Sequence, residues 1–130
     1  MKASTIIFVL SGFFLLCACD KGEAPLLDQL GPDVKVIAPK EGAELPGGEN
    51  FRLVVEIEEN LGLHSYYIWL VNERDGLPSL IEKQHLHTKK HRVDTTYLLP
   101  DEPGQAFHIR IEAVDHDDNR TIKSIGITAK

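Results

Sequence analysis

At 130 residues the chain has room for one domain and little more. A formal charge of −6 argues against partners held by a basic surface, nucleic acid and anionic lipid above all. Both cysteines, Cys17 and Cys19, stand near the start, so no disulfide or cysteine metal site is expected in the remainder.

Lys2 and an apolar run from Ile6 to Leu16, closed by small residues, have the layout of a secretory signal. The run is well short of the roughly 20 apolar residues that a membrane span needs. Its end, Leu16-Cys17-Ala18-Cys19, resembles the lipobox of bacterial lipoproteins. That resemblance implies removal of residues 1–18, lipidation of Cys19 and attachment to the inner or outer membrane of a Gram-negative cell envelope. The cut would leave 112 of the 130 residues and, with Lys2 gone, a formal charge of −7. Membrane attachment would then rest on acyl chains, several of which suffice where one is marginal. Residues 19–32 read as a lipidated N-terminus and tether, mixing Gly, Pro and charge, with Leu26, Leu27 and Leu30 as a weak apolar cluster able to dock on the domain.

From residue 33 to residue 130 the pattern is strands and turns, with no helical period. Val34–Pro39 is a first short strand, and Pro39–Asn50 a Gly- and Pro-rich loop. Phe51–Glu58 alternates, with Phe51, Leu53, Val55 and Ile57 on one face. Glu59–Ser65 reads as a turn. Tyr66–Glu73 follows, with Tyr66, Ile68 and Leu70 inward and Tyr67, Trp69 and Val71 outward. Asp75-Gly76 is a hairpin signal, and Ser79–His87 a polar strand suited to an edge. Arg92–Leu99 ends at Pro100. Phe107, Ile109, Ile111 and Ala113 alternate before the Asp115–Asn119 turn. Arg120–Ala129 is last, and its change of phase between Ile122 and Ile125 predicts a bulge.

Seven such strands predict an all-β fold, an antiparallel Ig-like β-sandwich without the Cys…Trp…Cys pin of antibody domains. Three stretches, Val36-Ile37-Ala38-Pro39-Lys40-Glu41-Gly42, Glu59-Asn60-Leu61-Gly62-Leu63-His64-Ser65 and Ala113-Val114-Asp115-His116-Asp117-Asp118-Asn119, resemble bacterial Ig-like and cadherin-like extracellular modules. More narrowly, the chain resembles a family of histidine-rich single-domain lipoproteins of that fold.

An up-and-down strand order gathers the loops Glu59–Ser65, Thr88–His91 and Asp115–Asn119 at one end. Five of the six histidines then share that end, with His108 at the other. His85 and His87, two apart on a strand, face the same way and can reach one ion. Neutral imidazole suits zinc and copper. His91 is the expected third ligand, and His64 or His116 a fourth; Lys89-Lys90 would oppose a cation there. The bland alternative is a set of surface histidines on an edge strand.

A calcium ion, which wants six to eight oxygens, is a lesser expectation at Glu59, Asp115 and Asp117. Asp- and Asn-rich turns usually serve only their own backbone. Tyr67 and Trp69 form a candidate stacking surface for a sugar or peptide. No Gly-x-Ser-x-Gly elbow, phosphate loop or His-Glu-x-x-His motif occurs, so binding is expected rather than catalysis. The function expected is a lipid-anchored envelope binding protein that captures or senses a divalent transition metal. The alternative is a metal-free adhesion or accessory module of an envelope complex or glycan-binding system.

Overall fold

Alternating apolar residues build two stacked sheets in a computed structural model that describes residues 28–130. The signal segment 1–18, Cys19 and the tether up to residue 27 lie outside the described residues. The strands are β1 (Asp33–Ala38), β2 (Ala43–Leu45), β3 (Asn50–Glu58), β4 (Leu63–Asn72), β5 (Pro78–His85), β6 (Lys90–Leu98), β7 (Ala106–Asp115) and β8 (Arg120–Ala129). One sheet has the order β1-β3-β6, and the other β2-β8-β7-β4-β5. This is an all-β, Ig-like sandwich.

The core lies between the sheets. Phe51, Leu53, Val55 and Ile57 of β3 meet Tyr66, Ile68 and Leu70 of β4 and Phe107, Ile109, Ile111 and Ala113 of β7, all buried. A one-residue slip of β3 would turn its four apolar side chains into water, at roughly 6–12 kcal/mol by area. That penalty fixes the register, and the register fixes which residues reach the strand ends.

The strand count is eight, not seven. Ala43–Leu45, inside the expected loop, pairs in parallel with Ile127–Ala129 of β8. Three residues are too few to show an alternation, and this short edge strand owes its form to the backbone of β8. The bulge expected between Ile122 and Ile125 is also absent, because β8 pairs with β7 in unbroken register from Arg120 to Thr128. Ile122 is simply an outward apolar residue, 51% exposed, as single surface side chains often are. Register shifts fall instead between Val36 and Ala38, between Ile68 and Trp69, and between Leu63 and Ser65.

Two strands begin earlier than expected. β4 starts at Leu63, which takes His64 and Ser65 out of the turn, and β6 starts at Lys90, which takes His91 out of its loop. His87, expected within its strand, lies two residues past the end of β5.

Candidate metal-binding cluster

Three separate segments carry four histidines to one corner of the five-stranded sheet. His64 sits at the bulge where β4 slips against β7, between the pairs Leu63↔Asp115 and Ser65↔Val114. A bulge re-aims its side chain, and here His64 reaches both the end of β5 and the β7–β8 turn. His85, the last residue of β5, is paired with Ser65 on the outer face. Leu86 follows it, buried, with its N–H donating to the His64 carbonyl. With Leu86 turned inward, His85 and His87 point out on either side of it.

The β7–β8 turn holds the fourth ring. Asp115 Oδ1 accepts the N–H groups of Asp117 and Asn119, both at 2.8 Å, and Asp118 takes a left-handed conformation at φ 63°. His116 is thereby presented at the tip. Gly62, at φ 150°, lies beneath it: a β-carbon added there would stand 3.4 Å from His116 Cδ2.

The four rings close a cycle. Their centroids lie 4.4 Å apart from His64 to His85, 4.6 Å from His85 to His87, 5.3 Å from His87 to His116 and 5.0 Å from His116 to His64. His64 Nδ1 faces His116 Nδ1 at 3.2 Å, and His85 Nε2 faces His87 Nε2 at 3.1 Å. Two imidazole nitrogens about 2.0–2.1 Å from one zinc ion at the tetrahedral angle stand roughly 3.3 Å apart. Each pair therefore has the spacing of neighbouring ligands. The two pairs do not yet share one centre, since no three ring nitrogens fall within 4.8 Å of one another. The rings of His85, His87 and His116 are exposed.

Electrostatics favour the ligating form. Loss of hydration, followed by the like charges of His64, His87 and His116, holds His85 below the ordinary imidazole range. Of the two lysines expected to oppose a cation, Lys90 is engaged by Glu58 at 3.0 Å.

His91 is not part of the cycle. Its early place in β6, opposite Ile57, turns it toward the space between the sheets, where its ring lies 5.2 Å from that of Tyr66. The Tyr66 hydroxyl donates to Glu82 Oε1 at 2.6 Å and lies 3.2 Å from Gln84 Oε1. His91 thus helps close the open side of the sandwich between β5 and β6. His108 stands at the far end, beside Glu73 at 3.9 Å.

Of the carboxylates expected at a calcium site, Asp117 is exposed and gives only its backbone N–H to Asp115. Glu59 and Asp115 are buried side by side, and the third member of their group is Asp28, outside the expected set. One oxygen from each of the three lies within 4.8 Å of the others. Unit charges at that separation repel by roughly 3.5 kcal/mol per pair at an effective dielectric constant of about 20. None of the three has an ion-pair partner among the described residues.

Tyr67 and Trp69 lie half-buried on the outer face of β4, stacked on each other with centroids 5.5 Å apart. Arg110, register partner of Trp69, sets its guanidinium 5.5 Å from the indole. A shallow groove lined by His64, Ser65, Tyr67, Lys83 and His85 joins this face to the histidines.

No protein-family model matches the chain, and no curated protein matches it. Solved structures do. A superoxide reductase (neelaredoxin) from Ignicoccus hospitalis superposes with a TM-score of 0.57 at 9% identity, covering 76% of this chain and 80% of that one. A Niemann-Pick type C2 protein from the Japanese carpenter ant gives a TM-score of 0.50 at 10% identity, covering 77% and 91%. The likeness is one of fold. At such identities the sandwich is shared, and the chemistry of this chain has to be read from its own side chains.

Proposed function

We propose that this protein is a lipid-anchored envelope binding protein that captures a divalent transition metal, zinc or copper, through His64, His85, His87 and His116. The observation that carries the reading is the closed cycle of four imidazoles drawn from β4, β5 with its following loop, and the β7–β8 turn. A hydrogen bond accounts for each facing pair alone, but not for the gathering of two such pairs from three segments into one ring. In each facing pair one ring must give an N–H and the other a lone pair, so both protonated at once would repel. A metal ion satisfies all four lone pairs together. Exposure of three of the rings leaves a path for an ion to enter and leave, which suits capture and hand-over better than a sealed structural site.

The anchor rests on Leu16-Cys17-Ala18-Cys19, with Cys19 as the lipidated residue. A second reading, docking of a glycan or protein partner without metal, is favoured by the Tyr67–Trp69 stack under Arg110. Because the two features share one groove, a ligand of the metal and a partner of the aromatics would meet there.

Calorimetric titration of the purified protein with zinc and with copper(II) separates the readings. Metal capture predicts a dissociation constant below ~10 μM, weakened at least about tenfold in the His85→Ala/His87→Ala double variant. Weaker binding of both ions, or an unchanged double variant, removes the metal reading at this cluster.

A further inference from the structure

The second cluster of ligand atoms is built from oxygen alone, and two of its three carboxylates are half committed. Asp28 Oδ1 accepts the Leu30 N–H at 3.0 Å. Glu59 Oε2 accepts the N–H groups of Leu61 and Gly62. Asp115 Oδ1 accepts those of Asp117 and Asn119. Each group is thus held in place by backbone through one oxygen. Asp115 Oδ2 has the Asn119 side-chain amide at 2.8 Å. Glu59 Oε1 and Asp28 Oδ2 have nothing: both atoms are buried and without a hydrogen-bond partner. Glu59 as a whole is only 7% exposed.

A buried carboxylate oxygen with no donor is costly, and two of them beside a third buried carboxylate are not explained by local turn formation. A turn needs only the oxygens already engaged. What the two unpartnered oxygens lack is a donor or a positive charge. We propose that Asp28, Glu59 and Asp115 form a calcium site that fastens the segment before β1 to the β3–β4 loop and the β7–β8 turn.

The donor set selects the ion. Three oxygens with no nitrogen or sulfur disfavour zinc and copper, which the histidines serve. Calcium ligands lie about 2.4 Å from the ion, so two of them are at most roughly 4.8 Å apart. The three oxygens fall within that span. Magnesium demands a tighter octahedron and seldom takes a dedicated cage of protein carboxylates. Waters and backbone carbonyls would complete the six to eight positions. An open groove bordered by Leu30, Gly31, Glu59, Asn60, Lys89 and Lys90 lies alongside.

Position gives the site a task. Asn119 Nδ2 donates to the Asp28 carbonyl at 2.7 Å, which ties residue 28 to the β7–β8 turn across 91 positions of sequence. Glu59 reaches Gly62 in the β3–β4 loop, below His116. Bound calcium would therefore stiffen the two loops that flank the histidine cycle and fix the direction in which the chain leaves the domain.

The test is thermal unfolding of the purified full-length protein in EDTA, 5 mM magnesium chloride or 5 mM calcium chloride, with amide exchange over residues 28–34. Calcium is expected to raise the midpoint by about 5 °C or more and to slow exchange at Leu30 and Gly31, with magnesium giving less than half the shift. Glu59→Gln, which keeps an acceptor for Leu61 and Gly62, should lose the shift. Asp28→Asn, outside every strand, should lose the slowed exchange and most of the shift. The His85→Ala/His87→Ala double variant should keep the whole calcium response. No response to calcium, an equal response to magnesium, or a full response in Asp28→Asn would overturn the proposal. Asp28→Asn alone decides the matter if Glu59→Gln does not fold.

Discussion

His64 and His116, 52 residues apart in sequence, bring their Nδ1 atoms to 3.2 Å. No strand pairing joins them: β4 pairs with β7 up to Asp115, and His116 is the first residue beyond it. The contact depends on the bulge that turns His64 aside and on the turn that holds His116 up. Replacing either ring breaks the cycle without touching the core. His64→Ala or His116→Ala is expected to weaken zinc binding by about tenfold or more, some 1.4 kcal/mol. His91→Ala should leave affinity within about twofold, because that ring faces Tyr66. Titration of the three variants checks the assignment.

Protons compete with metal for the same lone pairs. The loss of hydration, and after it the neighbouring imidazoles, that lower the protonation range of His85 add a stability effect of definite sign. Between its folded range and the ordinary value of 6.5, the unfolded chain binds more protons at this residue than the folded one. Stability of the metal-free protein therefore rises with pH through that window, and on acidification this contribution is lost within the same window and changes no further below it. Zinc affinity should likewise fall from pH 7.5 to pH 5.5. A flat affinity profile would point to carboxylate ligands. Denaturant unfolding and calorimetry at the two pH values measure both trends.

Much of this was legible in the residues, and the failures have physical causes. Strands β3 and β7 announce themselves because Phe51, Leu53, Val55 and Ile57, like Phe107, Ile109, Ile111 and Ala113, repeat every second residue, and burial of one face does the rest. His85 and His87 follow from the same period. His64, expected as a possible fourth ligand from a turn, stands in β4 instead, because a bulge is an exception to the period that carries the signal. His91 was misplaced because β6 takes up Lys90 and His91 to match Ile57 and Glu58 of β3, a long-range pairing that polar residues do not advertise. Asp28 gives no signal at all: in a polar tether one aspartate looks like any other until the fold brings it beside Glu59.

Gly62 supports both clusters, since its N–H binds Glu59 and its α-carbon lies under His116. Its φ of 150° is a conformation that side chains rarely adopt. Gly62→Ala is expected to cost about 1–3 kcal/mol in urea unfolding and to weaken zinc binding, as relief of the backbone strain shifts the loop against which His116 rests. An alanine variant of full stability and affinity would show the loop to be less constrained than its backbone implies.

Tyr66 closes the side of the sandwich that His91 lines. Burial, then the hydrogen bond and charge of Glu82, push its hydroxyl well above the ordinary phenol range. The folded protein thus holds this proton more tightly than the unfolded chain, and stability should fall as pH rises past the ordinary value of 10.0. Tyr66→Phe removes a hydrogen bond to a charged acceptor, at about 1.5–3 kcal/mol near neutral pH, and should shrink that alkaline loss. Urea unfolding of both proteins at pH 7 and above pH 10 provides the comparison.

The central claim is that imidazoles from separate segments bind one ion. X-ray absorption at the zinc edge of protein loaded with one equivalent of zinc tests it most directly, because imidazole rings leave a multiple-scattering signature that carboxylates and water lack. The account predicts three or four imidazole nitrogens at about 2.0 Å, reduced in number in His64→Ala. A first shell of oxygen alone, or a spectrum unchanged by that substitution, would contradict it.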